Sequence, residues 1–265
     1  AAPLAADLTH PVSLVSCDSK LVIPNTLFVC KGVKFKEEYL RSAMEQGAFA
    51  YVSEREYPAV PLPCIRVTDI RQAMGLLADR AYGHPSGALR ITGITGTKGK
   101  STTTSLLYHV LKSAGQDCVV MGNIGIPAFD HLEEIGPDTR IVFELSCHQL
   151  EYMTVSPHIG VLINIHEEHL DHYGTMEKYV AAKHRIFRNQ GSDDILVCNV
   201  QCLPEPGECP SRLIRVGTNC PDADVNVDNC GENGTFVDYG GSRYRIPETE
   251  IRLLGQHNYF DIAVV

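Results

Sequence analysis

Short apolar runs alternate along the chain with stretches whose apolar residues recur every three or four positions, the pattern of an α/β protein. Residues 27–30 and 48–52 read as strands. Between them, 36–46 places Tyr39, Leu40, Ala43 and Met44 on one helical face, and Gly47 closes the helix. A strand at 65–67 follows, and then Asp69 caps a helix whose Ile70, Ala73, Met74, Leu77 and Ala81 share a face. His84-Pro85-Ser86-Gly87 stops that helix and marks the expected boundary between a domain at 1–86 and a second at 87–265.

The second stretch opens with a strand at 89–94 and a Gly/Thr-rich loop. The helix after it carries Leu106, Leu107, Val110 and Leu111 and ends at Gly115. Strands are expected at 118–121, 140–145, 159–165 and 194–199, with a helix at 176–188 between the last two. Beyond residue 200 the chain turns Pro-, Gly- and Cys-rich. It then alternates over 235–239, 242–246 and 250–254, read as a small extra β-sheet.

Composition narrows the function classes. At roughly 150 residues per domain, 265 residues suggest two domains. A formal charge of −9 with no basic block argues against nucleic-acid partners. No apolar run is long enough to span a bilayer, so no membrane partner is expected. The first residues carry Asp7 and no leading Lys or Arg, unlike a signal peptide. Ten cysteines scattered over such a chain read as reduced thiols of a cytoplasmic protein.

Candidate chemistry begins at 95–101, Thr-Gly-Thr-Lys-Gly-Lys-Ser, between a buried strand and an amphipathic helix. Glycines turn backbone N–H groups inward and the helix N-terminus adds a positive field, which together cradle phosphate. Lys100 is placed for β- and γ-phosphates and the Ser101 hydroxyl for magnesium. Ile94 stands where the strict Walker pattern has its first glycine, so this is a variant loop. Its bland alternative is a ligand-free turn. Glu144 ends the run Ile141-Val142-Phe143, as a magnesium ligand or as a solvated strand end. The stretch 164–172, NIHEEHLDH, offers oxygen and imidazole ligands, or a polar entry to a helix.

Together these residues resemble the Mur ligase family, ATP-dependent amide-forming enzymes of peptidoglycan precursor synthesis. The matching segments are 95–103 (TGTKGKSTT), 144–146 (ELS), 164–183 (NIHEEHLDHYGTMEKYVAAK) and 254–258 (LGQHN). Three earlier segments, 18–20, 24–29 and 47–52, resemble the uridine-nucleotide-binding N-terminal domain of MurE-type members. The resemblance implies an N-terminal α/β substrate-binding domain, then a P-loop-type central domain with a mostly parallel sheet flanked by helices.

The activity it implies is addition of L-lysine or meso-diaminopimelate to UDP-N-acetylmuramoyl-L-alanyl-D-glutamate through an acyl phosphate, by a cytoplasmic monomer. ATP would lie on Gly96, Thr97, Lys98, Gly99, Lys100, Ser101 and Thr102, with His257 and Asn258 at the adenine. One magnesium would be held by Ser101 and Glu144, and a second by His169 with, as a carbamate, Lys183, the last otherwise an ordinary surface lysine. Ser19, Asn123 and Ser146 would contact the UDP-muramoyl peptide.

Several positions depart from the family pattern. Lys98 stands for a usual asparagine, Glu168 for an aspartate and Asp261 for an asparagine. Segments 122–127 and 144–151 resemble the MurD-type pattern, with Cys147 in place of a second serine. This leaves MurD-type chemistry, MurT-type amidation and a non-catalytic nucleotide-binding module as alternatives. Cys198 and Cys202 make a lone closely spaced pair, and the intervals between Cys202, Cys209, Cys220 and Cys230 are too open for a zinc ribbon. The chain stops after the adenine motif, so the reading expects it to lack the C-terminal Rossmann-like domain and to turn over very slowly or not at all.

Overall fold

The computed structural model describes residues 11–32, 35–81, 83, 87–125, 135–229, 234–247, 253, 255 and 257–265. The expected boundary at 84–86, Ile126 and Pro127 of the MurD-like segment, Cys230 and all of the expected strand at 250–254 but Leu253 lie outside them. The chain divides into two compact units, Ala1–Gly87 and Ala88–Val265.

In the first unit, β1 (Leu14–Ser16), β2 (Thr26–Val29), β3 (Ala48–Ser53) and β4 (Cys64–Arg66) form a parallel sheet in sequence order. Helices α1 (Glu37–Glu45) and α2 (Ile70–Ala81) accompany it. Asp69 caps α2, its Oδ1 accepting from the N–H groups of Arg71 and Gln72 at 2.8 and 3.0 Å. Strand β2 is buried throughout because both of its faces are covered. Phe28 packs with Leu40, Ala43 and Tyr51 on one side, and Leu27 and Val29 pack with Ala50, Val52 and Ile70 on the other. A parallel strand between two apolar layers therefore reads as one continuous apolar run.

The second unit is built on a nine-stranded sheet. Its strands are β5 (Arg90–Thr95), β6 (Cys118–Gly122), β7 (Arg140–Glu144), β8 (Ile159–Leu162), β9 (Ile195–Asn199), β10 (Arg212–Thr218), β11 (Val225–Asn229), β12 (Thr235–Tyr239) and β13 (Ser242–Arg245). They lie in the order β13-β12-β11-β10-β9-β8-β5-β7-β6. Pairing is parallel from β6 across to β11 and antiparallel only in the last two pairs. The short strands expected as a separate small sheet thus continue the main one: β11 pairs with β10 and hands its free edge to the hairpin.

Among the described residues, five α-helices accompany this sheet: α3 (Lys100–Ser113), α4 (Cys147–Leu150), α5 (Leu170–Tyr173), α6 (Met176–His184) and α7 (His257–Val264). On one face Ile94, Val142, Val161 and Ile163 meet Leu107 and Leu111 of α3 and Phe260 and Val264 of α7. On the other, Leu145, Leu162 and Leu196 pack with Leu150, Ile186 and Phe187. Cys198 belongs to this second layer, with Cys202 and Cys209 against it, so these thiols serve as small apolar side chains. All nine cysteines among the described residues are free. No helix of the described residues is long and apolar enough to cross a membrane.

Candidate active site

The centre of the large sheet brings three strand ends side by side. Ile94 of β5 is in register with Glu144 of β7, and Thr95 with Leu162 of β8. The chain leaves all three at the same carboxyl edge, where an open parallel sheet places its ligand sites.

From β5 the chain enters residues 96–99 and then α3. Gly99 precedes the helix with φ 84°, a left-handed conformation that glycine adopts without strain. The Asp261 carboxylate lies against it, 3.3 and 3.4 Å from where a Cβ would stand. Lys100 folds back over the loop and donates to the carbonyls of Gly96 (3.0 Å) and Thr97 (3.1 Å). Gly96 and Thr97 are buried, while Lys98 and Ser101 are exposed and Thr102 is half-buried.

Asn164 holds the loop in shape. Its Oδ1 accepts from the N–H groups of Thr97 (2.9 Å) and Lys98 (3.0 Å), and its Nδ2 donates to the Lys98 carbonyl (3.0 Å). Thr97 Oγ1 accepts from the His166 N–H at 2.9 Å and lies 3.0 Å from the Tyr179 hydroxyl. The strand expected at 159–165 ends at Leu162, although the Ile163 N–H still donates to the Thr95 carbonyl at 3.0 Å and the Asn164 carbonyl accepts from the Thr97 N–H at 3.1 Å.

Glu144 is 1% exposed. Its Oε1 accepts from Asn123 Nδ2 at 3.1 Å, whereas Oε2 is buried with no hydrogen-bond partner. A buried, half-satisfied carboxylate at a strand end is a hard oxygen donor of the kind magnesium takes, so Glu144 suits the expected metal. Gly122, at φ 106°, runs so close that a Cβ there would stand 2.3 Å from the Glu144 carbonyl.

Lys183 is also 1% exposed, on α6, with Nζ 4.9 Å from the Tyr179 ring centre. Burial pulls its pKa down from 10.5 to about 8, and the Lys100 charge adds to the effect. His169 is exposed and precedes α5 in a left-handed conformation, φ 56°. Its ring lies 6.2 Å from that of Tyr179 and 5.0 Å from that of His148. Tyr179 therefore stands beside the loop, the lysine and the histidine. Burial, followed by the charges of His172 and His169, lowers the His148 pKa.

The other expected contacts are less uniform. Ser146 is engaged in a capping box at the start of α4: its Oγ accepts from the Gln149 N–H at 3.3 Å and its own N–H donates to Gln149 Oε1 at 2.9 Å. His257 is exposed and Asn258 is buried at the start of α7. Ser19 belongs to the first unit, half-buried in a short turn capped by Asp18. Asn164 and Tyr179 were not singled out by the sequence. The available signal was Asn164's position, a side-chain amide directly after the apolar run 161–163 and facing a loop of free N–H groups.

Residues 94–265 match the family model for the Mur ligase middle domain. The chain belongs to the Mur ligase family. This Mur ligase is 47% identical over 110 residues to the UDP-N-acetylmuramoylalanine–D-glutamate ligase of Clostridium kluyveri, a match covering 42% of this chain and 24% of that protein. It is 33% identical over 220 residues to the UDP-N-acetylmuramoyl-L-alanyl-D-glutamate–2,6-diaminopimelate ligase of Chlorobium phaeobacteroides, covering 71% of this chain and 42% of that protein. A solved structure of a ligase of the latter name shares its fold, with a TM-score of 0.75 at 24% identity, covering 99% of this chain and 61% of that one. The Mur ligase chain thus spans less than two thirds of the length of these relatives.

Proposed function

We propose that this chain supplies the ATP site and the UDP-substrate domain of a cytoplasmic, monomeric amide ligase of peptidoglycan precursor synthesis. The reaction adds L-lysine or meso-diaminopimelate to UDP-N-acetylmuramoyl-L-alanyl-D-glutamate. The substrate carboxylate takes the γ-phosphoryl group of ATP, releasing ADP; the amine then attacks the acyl carbon, phosphate leaves and the amine gives up a proton. One observation carries the reading: the buried, unpartnered Glu144 Oε2 beside a phosphate-type loop.

Within this reading the chain's residues divide the work. Lys100 exchanges the Gly96 and Thr97 carbonyls for phosphate oxygens and stabilises charge on the transferring group. The N–H groups of the loop and of the α3 N-terminus orient the phosphates, with the loop fixed by Asn164. Magnesium, held at one position by Ser101 and Glu144 and at a second by His169 and carbamylated Lys183, would supply charge neutralisation when bound. A lysine pKa of about 8 leaves roughly a tenth of the amine neutral at neutral pH, the form that adds carbon dioxide and loses a proton to become a carbamate. Asn258 and His257 would meet the adenine, and Ser19 the uracil end of the substrate. Asn123 would position the muramoyl peptide, with Ser146 if its cap opens.

A second reading, addition of D-glutamate to UDP-N-acetylmuramoyl-L-alanine, is favoured by the higher identity to the Clostridium kluyveri ligase. The test is calorimetric titration of the chain with ATP and magnesium, then with each UDP-muramoyl peptide. Lys100→Ala is expected to weaken ATP binding and Glu144→Ala to remove its magnesium dependence. Wild-type binding in both variants would overturn the assignment, and the UDP-muramoyl peptide bound more tightly decides between the two reactions.

A further inference from the structure

Beyond the nucleotide site, α4 and α5 bring a second set of metal-ligating side chains together. His148 and Glu151 are three residues apart on one helical turn and so share a face. His172 comes from α5. Its Nε2 lies 2.9 Å from Glu151 Oε2, and its ring stands at 83° to that of His148 with centres 4.7 Å apart. One ligand atom from each of the three lies within 4.8 Å of the others. The His148 ring is held in place by stacking on Tyr173, at 13° and 5.7 Å.

We propose that His148, Glu151 and His172 form a binding site for a zinc-class divalent cation. Two ligands about 2.1 Å from zinc at the tetrahedral angle stand about 3.4 Å apart, a spacing that small side-chain rotations supply here. Two imidazoles and one carboxylate select zinc, cobalt or nickel over magnesium, which prefers oxygen ligands. His148 and His172 are exposed, so the ion has a path in and a side open to water.

The site stands apart from the nucleotide reading, since none of its three residues is assigned to ATP or magnesium. It is nevertheless adjacent: α4 follows the strand that ends in Glu144, and α5 begins after His169. An ion there staples those two segments together. His148 also groups with Cys147 and His169 at a similar spacing. The two groupings share one imidazole, so the test must separate them.

The chain is titrated with Co2+, whose visible absorption reports nitrogen ligation, in excess Mg2+, and the Co2+ is then displaced by Zn2+. One equivalent is expected to bind, and Zn2+ to raise the thermal midpoint. His148→Gln and His172→Gln should each lose at least about tenfold in affinity, while His169→Gln binds as the wild type does. Thermal unfolding without metal checks that each variant is folded. Absence of a stoichiometric site in the wild type overturns the proposal. So does unchanged binding in His172→Gln, or loss in His169→Gln, which hands the ion to Cys147, His148 and His169.

Discussion

Replacing Lys183 with methionine should make the protein more stable. The side chain is 1% exposed, and its pKa falls from 10.5 to about 8, chiefly through burial. At about 1.36 kcal/mol per tenfold change in proton affinity, keeping the ammonium in that site costs about 3 kcal/mol at neutral pH. The contact with the Tyr179 ring at 4.9 Å offsets on the order of 1 kcal/mol of this. Methionine keeps the length and the packing and drops the charge, for a net gain of about 2 kcal/mol. In a unit of this size that raises the thermal midpoint by roughly 4–8 °C.

The sign of the pH dependence follows from the lowered pKa. Between about 8 and 10.5 the unfolded chain holds a proton that the folded chain has released. Stability of the wild type therefore rises with pH through that window, and below it the full cost applies. Urea unfolding of both proteins at neutral pH and near pH 10 tests this. No gain at neutral pH, or a gain that persists undiminished in alkali, would refute the reasoning.

Three further outcomes follow. Asn164→Ala removes three hydrogen bonds to the loop and should cost about 2–3 kcal/mol, with a larger relative loss in ATP affinity than in stability, measured by urea unfolding and calorimetry. Asp261→Asn should stabilise at neutral pH, because burial raises that carboxyl's pKa above 3.8. Stability from its protonated form is present below 3.8 and lost as pH rises through the folded value, so the advantage should close on acidification in thermal melts. Gly122→Ala forces a Cβ to within 2.3 Å of the Glu144 carbonyl at a φ of 106°, and should cost about 2 kcal/mol or more in the same melts.

Most of the sheet was legible in the sequence because its strands are covered on both faces. Residues 27–30, 48–52, 118–121 and 141–143 are unbroken apolar runs, and the structure places strands at each. What escaped lacks that signal. Strand β1 has three residues, and α4 and α5 have four each, too short for a helical period to emerge. Strands β10 and β11 carry Arg215, Asn226 and Asp228 in a Pro- and Gly-rich stretch. The loop and Glu144 were legible as chemistry because glycine, lysine and a strand-ending acid have few other reasons to occur in that order. Asn164 was not, since its role depends on a loop 66 residues away, a separation that no local pattern encodes.

The distribution of unsatisfied polar atoms points the same way as the stability argument. Among the described residues, five buried side-chain oxygens lack a hydrogen-bond partner: those of Thr95, Thr104, Glu144, Tyr173 and Asp261. Each costs about 1–3 kcal/mol, and packing flaws would scatter over both units. All five lie in the second unit. Thr95 leads into the loop, Glu144 ends the neighbouring strand, Asp261 lies against Gly99, Thr104 is one turn along α3, and Tyr173 stacks on His148. With the buried Lys183 they gather buried polar groups around this edge. It holds its shape because apolar layers clamp the sheet from both faces. Strain confined to one edge of a sound core is what a ligand site requires: groups held ready for a charged partner by packing that does not depend on that partner.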